Sequence, residues 1–186
     1  MFLVVSSEVA PTAGDAPQRL FLAVWPPPPV VAALSRLPRS DDGGVRWIAP
    51  ENYHTTLRFL GPAVAADVVA AVDRVLPPRP AHVVLGPQVT TLGSAVVVPA
   101  QGLHPVASDL RSVTRHLGVD DGGRPFHGHL TLGRLRRGTR SCDLLGHEIE
   151  LGFRLDAVVL ISSEQTDQGS RYTRLRTWSV TDRDNG

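Results

Sequence analysis

Apolar and polar positions fall into short runs along this chain, and the runs change period often. Arg19–Trp25 (RLFLAVW) is almost continuously apolar and predicts a strand closed by the proline run Pro26–Pro29. A proline quartet cannot lie within a sheet, but it can open a helix, and Val30–Leu37 has helical composition. Beyond a turn-rich stretch, Arg46–Ile48 and Tyr53–Leu60 (YHTTLRFL) read as strands, the second ended by Gly61-Pro62. Val64–Leu76 predicts a second helix. His82–Leu85, Gln88–Leu92 and Ala95–Pro99 predict short strands. In Leu103–Leu117 the residues Leu103, Val106, Leu110, Val113 and Leu117 recur at helical spacing, with Gly118 at the end. Phe126–Leu135, His147–Phe153, Leu155–Ser162 and Tyr172–Val180 complete the predicted strands. Strands and helices do not alternate regularly, so the pattern points to an α+β fold.

Composition narrows the picture. A chain of 186 residues with 42% hydrophobic and 20% charged residues has material for one core. Met1 to about Gln18 reads as a loose leader, and 19–186 as one domain. No apolar run is long enough to span a bilayer, so no membrane partner is expected. Nineteen basic against eighteen acidic residues give a net charge of +1, which excludes a polybasic nucleic-acid binder and leaves only local contacts. All the basic residues are Arg, a planar fork suited to phosphate. Cys142 is alone, which excludes an internal disulfide and a cysteine-based zinc site, and suits a reducing, cytoplasmic home.

One motif occurs twice: His54-Thr55-Thr56-Leu57 and His129-Leu130-Thr131-Leu132. In a strand, residues i and i+2 share a face. His54 and Thr56 therefore look one way while Thr55, Leu57 and Phe59 look the other. His129 and Thr131 share a face, with Leu130 and Leu132 behind them in the core. Two imidazoles and two hydroxyls facing one cleft suit the opening of a cyclic phosphodiester by water. One imidazole takes a proton from water, the other returns one to the departing ribose oxygen, and the hydroxyls hold the charged phosphate oxygens. No cofactor or metal is needed for that scheme.

Arg134 is a candidate phosphate fork. Arg58 projects with His54 and Thr56 if its strand is regular. Tyr172 and Tyr53 are candidates for stacking a terminal base, and Ser163 ends a predicted strand, where turn capping also accounts for it. Arg136, Arg137 and Arg140 form a basic run that would guide RNA. His127 shares a parity with His129, which opens a metallohydrolase alternative, but further ligands are not evident.

The segments NYHTTLRFLG (Asn52–Gly61), FHGHLTLGR (Phe126–Arg134) and VVLISSEQTDQGSRYTRLRTW (Val158–Trp178) resemble the two-histidine phosphoesterases, and within them the RNA 2′,3′-cyclic phosphodiesterases, also called 2′-5′ RNA ligases. The resemblance runs from about Arg19 to Val180. It implies a bilobal α+β fold, with two antiparallel sheets related by a pseudo-two-fold, helices outside and a central cleft. It also implies metal-free hydrolysis of a terminal 2′,3′-cyclic phosphate on RNA to a 2′-phosphate, with His54 as proton donor and His129 as acceptor. Thr56, Thr131 and Arg134 would bind the phosphate, and Arg58, Tyr172 and Ser163 would touch RNA. The near-mirror motifs do not themselves set the direction of proton transfer. Gly128 stands where the family often has Pro, and Thr55 where it has an apolar residue; these would loosen the strand entry and weaken the apolar back. The expected partner is an RNA end or a cyclic nucleotide, and the expected state a monomer. Ligation, another cyclic-nucleotide phosphodiesterase activity and a non-catalytic RNA- or nucleotide-binding module are the alternatives on the same site.

Overall fold

The computed structural model describes residues 16–39, 44–75, 80–120, 122–166 and 169–180. Most of the expected leader lies outside the described residues, and its last residue, Gln18, already belongs to the first strand. The elements in chain order are β1 (Gln18–Val24), α1 (Pro28–Ser35), β2 (Val45–Trp47), β3 (Thr55–Ala63), α2 (Ala65–Val72), β4 (His82–Leu85) and β5 (Thr90–Leu92). Then follow β6 (Ala95–Gln101), α3 (His104–Thr114), β7 (His129–Leu135), β8 (Leu151–Arg154), β9 (Ala157–Thr166) and β10 (Gly169–Ser179). The α+β class expected from the pattern is the one observed. Prolines open α1 and α3, where a missing N–H costs no helical bond.

The strands are antiparallel in the order β10-β9-β1-β3-β7-β6-β4-β8, with β2 on β7 and β5 on β6. Two wings of four strands thus meet where β3 touches β7. That junction is a single residue pair, Thr55 opposite Leu130. The two repeated motifs are therefore the seam of the molecule.

β1 explains its continuous apolar run by being buried on both faces. Leu20, Leu22 and Val24 enter the main core together with Leu57, Leu60, Leu130 and Leu132. Phe21 and Ala23 point the other way and form a second, small core with Val159 and Ile161, against which Trp25 and Tyr172 pack. Thr55, in place of an apolar residue, is buried in the main layer at the seam.

β3 departs from the expected alternation. Its register with β1 shifts twice, from Leu20 opposite Gly61 to Phe21 opposite Phe59, and from Leu22 opposite Arg58 to Ala23 opposite Thr56. Each shift leaves one β3 residue unpaired, and a bulge turns the following side chains to the other face. The strand also runs through Gly61-Pro62 to Ala63 instead of stopping there. The turn after α3 fills the irregular stretch: the Val119 amide donates to the Leu60 carbonyl at 2.7 Å. Gly118 makes that approach possible. Its φ is +67°, and a Cβ there would lie 2.0 Å from the Leu60 oxygen.

Candidate active site

Tyr53 fixes the approach to the first motif. It is fully buried, its hydroxyl accepts a hydrogen bond from Arg39, and burial pushes its phenol pKa above the usual value against the opposing pull of that guanidinium. Tyr53 is therefore an anchor and does not stack a base. The next residue, His54, emerges at the mouth of β3 with its Nδ1–H donating to the Asn52 carbonyl at 2.7 Å. His129 repeats the device at the start of β7, its Nδ1–H donating to the His127 carbonyl at 2.8 Å. A carbonyl can only accept, so both rings carry their proton on Nδ1 when neutral and leave Nε2 for chemistry.

The seam pair sets the arrangement. With Thr55 opposite Leu130 and the strands antiparallel, His54 faces Thr131 across the seam and Thr56 faces His129. The four front-face side chains occupy the corners of a quadrilateral with the histidines on its diagonal. Both rings open on the same cleft, and His129 stands near enough to His54 to act on its charge.

The His54 ring lies between Phe21 and Trp25, each stacked at 5.1 Å between centroids, with Tyr172 edge-on at 5.4 Å. Burial in this aromatic cage pulls the His54 pKa below the usual imidazole value; the bond to Asn52 opposes the shift, and His129 adds a further downward push. The shift favours the neutral imidazole of His54 in the free protein.

A cleft of about 490 Å³ lies over these groups, and His54, Thr56, His129, Thr131, Arg134, Ser163 and Tyr172 all line it. Those sequence candidates are brought together. Arg58 is not among them. The bulges turn it inward, it is 5% exposed, and its guanidinium donates to the Val119 carbonyl at 3.0 Å. Phe59, expected behind the strand, takes a place in the cleft and is 39% exposed. Arg136, Arg137 and Arg140 follow the end of β7 and do not line the cleft.

The cations that do line it alongside Arg134 are Arg19 and Arg46. Arg19 lies over the Phe59 ring at 4.8 Å. Arg46 stands directly opposite Arg134 in the pairing of β2 with β7. Like charges opposite each other in a sheet are unfavourable, so this pair is set up to receive an anion. The short β2 strand is legible in the sequence, but its pairing with β7 is not. Phe21 and Trp25 were also missed as site residues, although their parity in the first strand places them on one face.

Gly128 proves to be packed tightly. Its carbonyl accepts from the Ala100 amide at 2.8 Å, and a Cβ on it would come within 2.2 Å of the Ala100 oxygen. The close approach of β6 demands glycine here, and it pins His129 where looseness was expected. The His127–His129 metal alternative gains no further ligands: among the described residues there is no group of three or more His, Cys, Asp or Glu placed to hold an ion.

No family model matches the sequence. An RNA 2′,3′-cyclic phosphodiesterase of Escherichia coli K12 is 29% identical over 177 residues, covering 89% of this chain and 98% of that protein. The crystal structure of Escherichia coli LigT with NADP+ superposes with a TM-score of 0.73 at 28% identity, covering 90% of this chain and 100% of that one. LigT with 3′-AMP gives 0.71 at 27%, over 89% and 99% of the two chains. TT0787 of Thermus thermophilus gives 0.73 at 26%, over 87% and 97%. The doubled motif, the sheet order that joins its two copies and these relatives point the same way: over most of its length the chain is similar in sequence and fold to an RNA 2′,3′-cyclic phosphodiesterase and to LigT.

Proposed function

We propose that this protein hydrolyses a terminal 2′,3′-cyclic phosphate on RNA to a 2′-phosphate by metal-independent acid–base catalysis. The observation that carries the reading is the diagonal pair of imidazoles, each locked through Nδ1 onto the carbonyl two residues before it. An E. coli relative is named RNA 2′,3′-cyclic phosphodiesterase, and LigT crystallises with 3′-AMP, a ribonucleotide with a phosphate on a ribose hydroxyl.

Water attacks the phosphorus and gives its proton to Nε2 of His129. The bond from phosphorus to the ribose O3′ breaks, and O3′ takes the proton of Nε2 of His54. The 2′ ester survives as the product phosphate. Thr56 and Thr131 donate to the non-bridging oxygens, and Arg134 with Arg46 balances the charge that builds on them. In this scheme His54 must be protonated, against the pull of its aromatic cage. The anionic phosphate itself supplies the compensation, since a negative charge beside an imidazole favours the cation. His54 is then charged when substrate is present, so that the acid is armed on binding.

The test is an RNA ending in a 2′,3′-cyclic phosphate, incubated in EDTA and read by mass spectrometry and 31P NMR. The expected product is the 2′-phosphate. His54→Ala and His129→Ala should each lose about 10²–10⁴ in kcat. Full activity in either variant, or loss of wild-type activity in EDTA, would refute the mechanism. A 3′-phosphate product would reverse the leaving oxygen.

A further inference from the structure

A second groove meets the catalytic cleft at His129. It occupies about 600 Å³ beneath α3 and the loop leading to β7, and Thr56, Phe59 and His129 line both spaces. Among the described residues its walls carry Arg111 and the exposed Arg124, with the Asp120 carboxylate beside them, while the buried Arg58 guanidinium is held by the Val119 carbonyl. Phe126 and His104 form an aromatic edge within it, their rings 6.4 Å apart. Cationic walls with an aromatic ledge are the combination that holds single-stranded nucleic acid, the charges on the backbone and the ring under a base.

The chemistry of the substrate requires such a place. A cyclic phosphate occurs only on the last ribose of a strand, so the rest of the strand must leave the cleft from that ribose's 5′ side. We propose that the second groove binds the nucleotides preceding the cyclic phosphate, with their phosphodiesters along Arg124 and Arg111 and a base on Phe126. The substrate is then an RNA strand of two or more nucleotides, and a free cyclic mononucleotide uses only half of the site. This rests on the cyclic phosphodiesterase reading above.

The experiment compares 2′,3′-cyclic AMP with a trinucleotide ending in a 2′,3′-cyclic phosphate, using wild type, Arg124→Glu and Ser108→Glu. Ser108 is an exposed residue of α3 on the groove wall, so the added carboxylate leaves the fold alone. The trinucleotide should be preferred by wild type by about tenfold or more in kcat/KM. Each substitution should remove most of that preference while cyclic AMP turnover stays within about twofold. The dependence of log KM on log salt should be shallower by about 0.7 for each RNA phosphate that the groove no longer neutralises. Equal turnover of both substrates by wild type, or an equal fall on both in the variants, would overturn the proposal. Binding of a 3′-phosphorylated hexanucleotide, followed by fluorescence anisotropy, decides the groove without turnover. Binding weakened about tenfold by Arg124→Glu supports it, and binding unchanged by that substitution overturns it. Absence of turnover on both substrates with intact groove binding would instead fail the catalytic reading.

Discussion

Replacing Arg46 with Gln should move activity and stability in opposite directions. Arg46 and Arg134 face each other across β2 and β7 at the wall of the cleft, and both are exposed. Among the described residues no carboxylate forms an ion pair with either. With no ligand the pair repels, by roughly 0.2–1 kcal/mol for like charges directly opposite, and less where water screens them. Gln keeps the stem and removes the charge, so melting should rise by about 1 °C or a little more, at roughly 2–4 °C per kcal/mol for a chain of this size. On the proposed function, Arg46 would supply a charge-assisted bond to phosphate worth about 1.5–3 kcal/mol, discounted toward the lower figure for its exposure. That corresponds to a loss of about 10–30-fold in kcat/KM on a 2′,3′-cyclic phosphate. Steady-state kinetics and calorimetry on the same samples read both quantities. Raising the salt should shrink both effects. Arg46→Lys, which keeps the charge without the planar fork, should fall between the two proteins in activity. A variant that loses stability along with activity would make Arg46 a strut of the sheet, and one with full activity would remove it from the site.

The aromatic cage predicts that the His54 ring titrates below the usual imidazole midpoint in the free protein, which 15N NMR measures directly. Trp25→Leu should move that midpoint up, and a midpoint that stays put would discard burial as the cause. Because the folded protein refuses a proton that the unfolded chain accepts, stability should fall as pH drops through about 6.5, and thermal melts of the His54→Ala variant should lose that component. Gly128→Ala drives a Cβ into the Ala100 carbonyl and should cost about 1–3 kcal/mol, seen as a fall of several degrees in melting together with lost turnover. An unchanged melting temperature would show that β6 yields. Arg58→Met should lower melting by several degrees, since it removes the charged donor that holds the Val119 carbonyl against β3. Unaltered melting would mean that this anchor carries no energy.

The front of the site was legible because the signal was local. In His-x-Thr-Leu one strand alternation separates a reactive face from an apolar one, and Leu130 and Leu132 do lie fully buried behind His129 and Thr131. The two motif strands themselves were also legible, but not their ends: β3 runs through Gly61-Pro62 to Ala63, and β7 begins only at His129. The failures come from contacts made far along the chain. Arg58 and Phe59 exchanged places because β3 carries two bulges, and the bulged Leu60 carbonyl finds its partner at Val119, on the far side of α2, β4–β6 and α3. Nothing within Tyr53–Leu60 announces a partner so distant. Arg46 was overlooked for the same reason, since its importance lies in which residue stands opposite it.

The narrowness of the seam between the wings has a physical consequence for the site. A full ladder between β3 and β7 would continue the sheet flat across the middle and leave no room above it. With one pair, Thr55 and Leu130, the strands separate on either side of the motifs. The first residue of β7 and the residue before β3 each lie at a strand entry, where the backbone two positions earlier is still outside the ladder and its carbonyl is free to turn. Those are the Asn52 and His127 carbonyls that hold the two Nδ1 atoms. Shifting either histidine two residues into its strand would keep the face but commit that carbonyl to a neighbouring strand, and the imidazole would lose the bond that presents Nε2. Placement at the strand mouth therefore accounts for both the cleft and the orientation of its two bases.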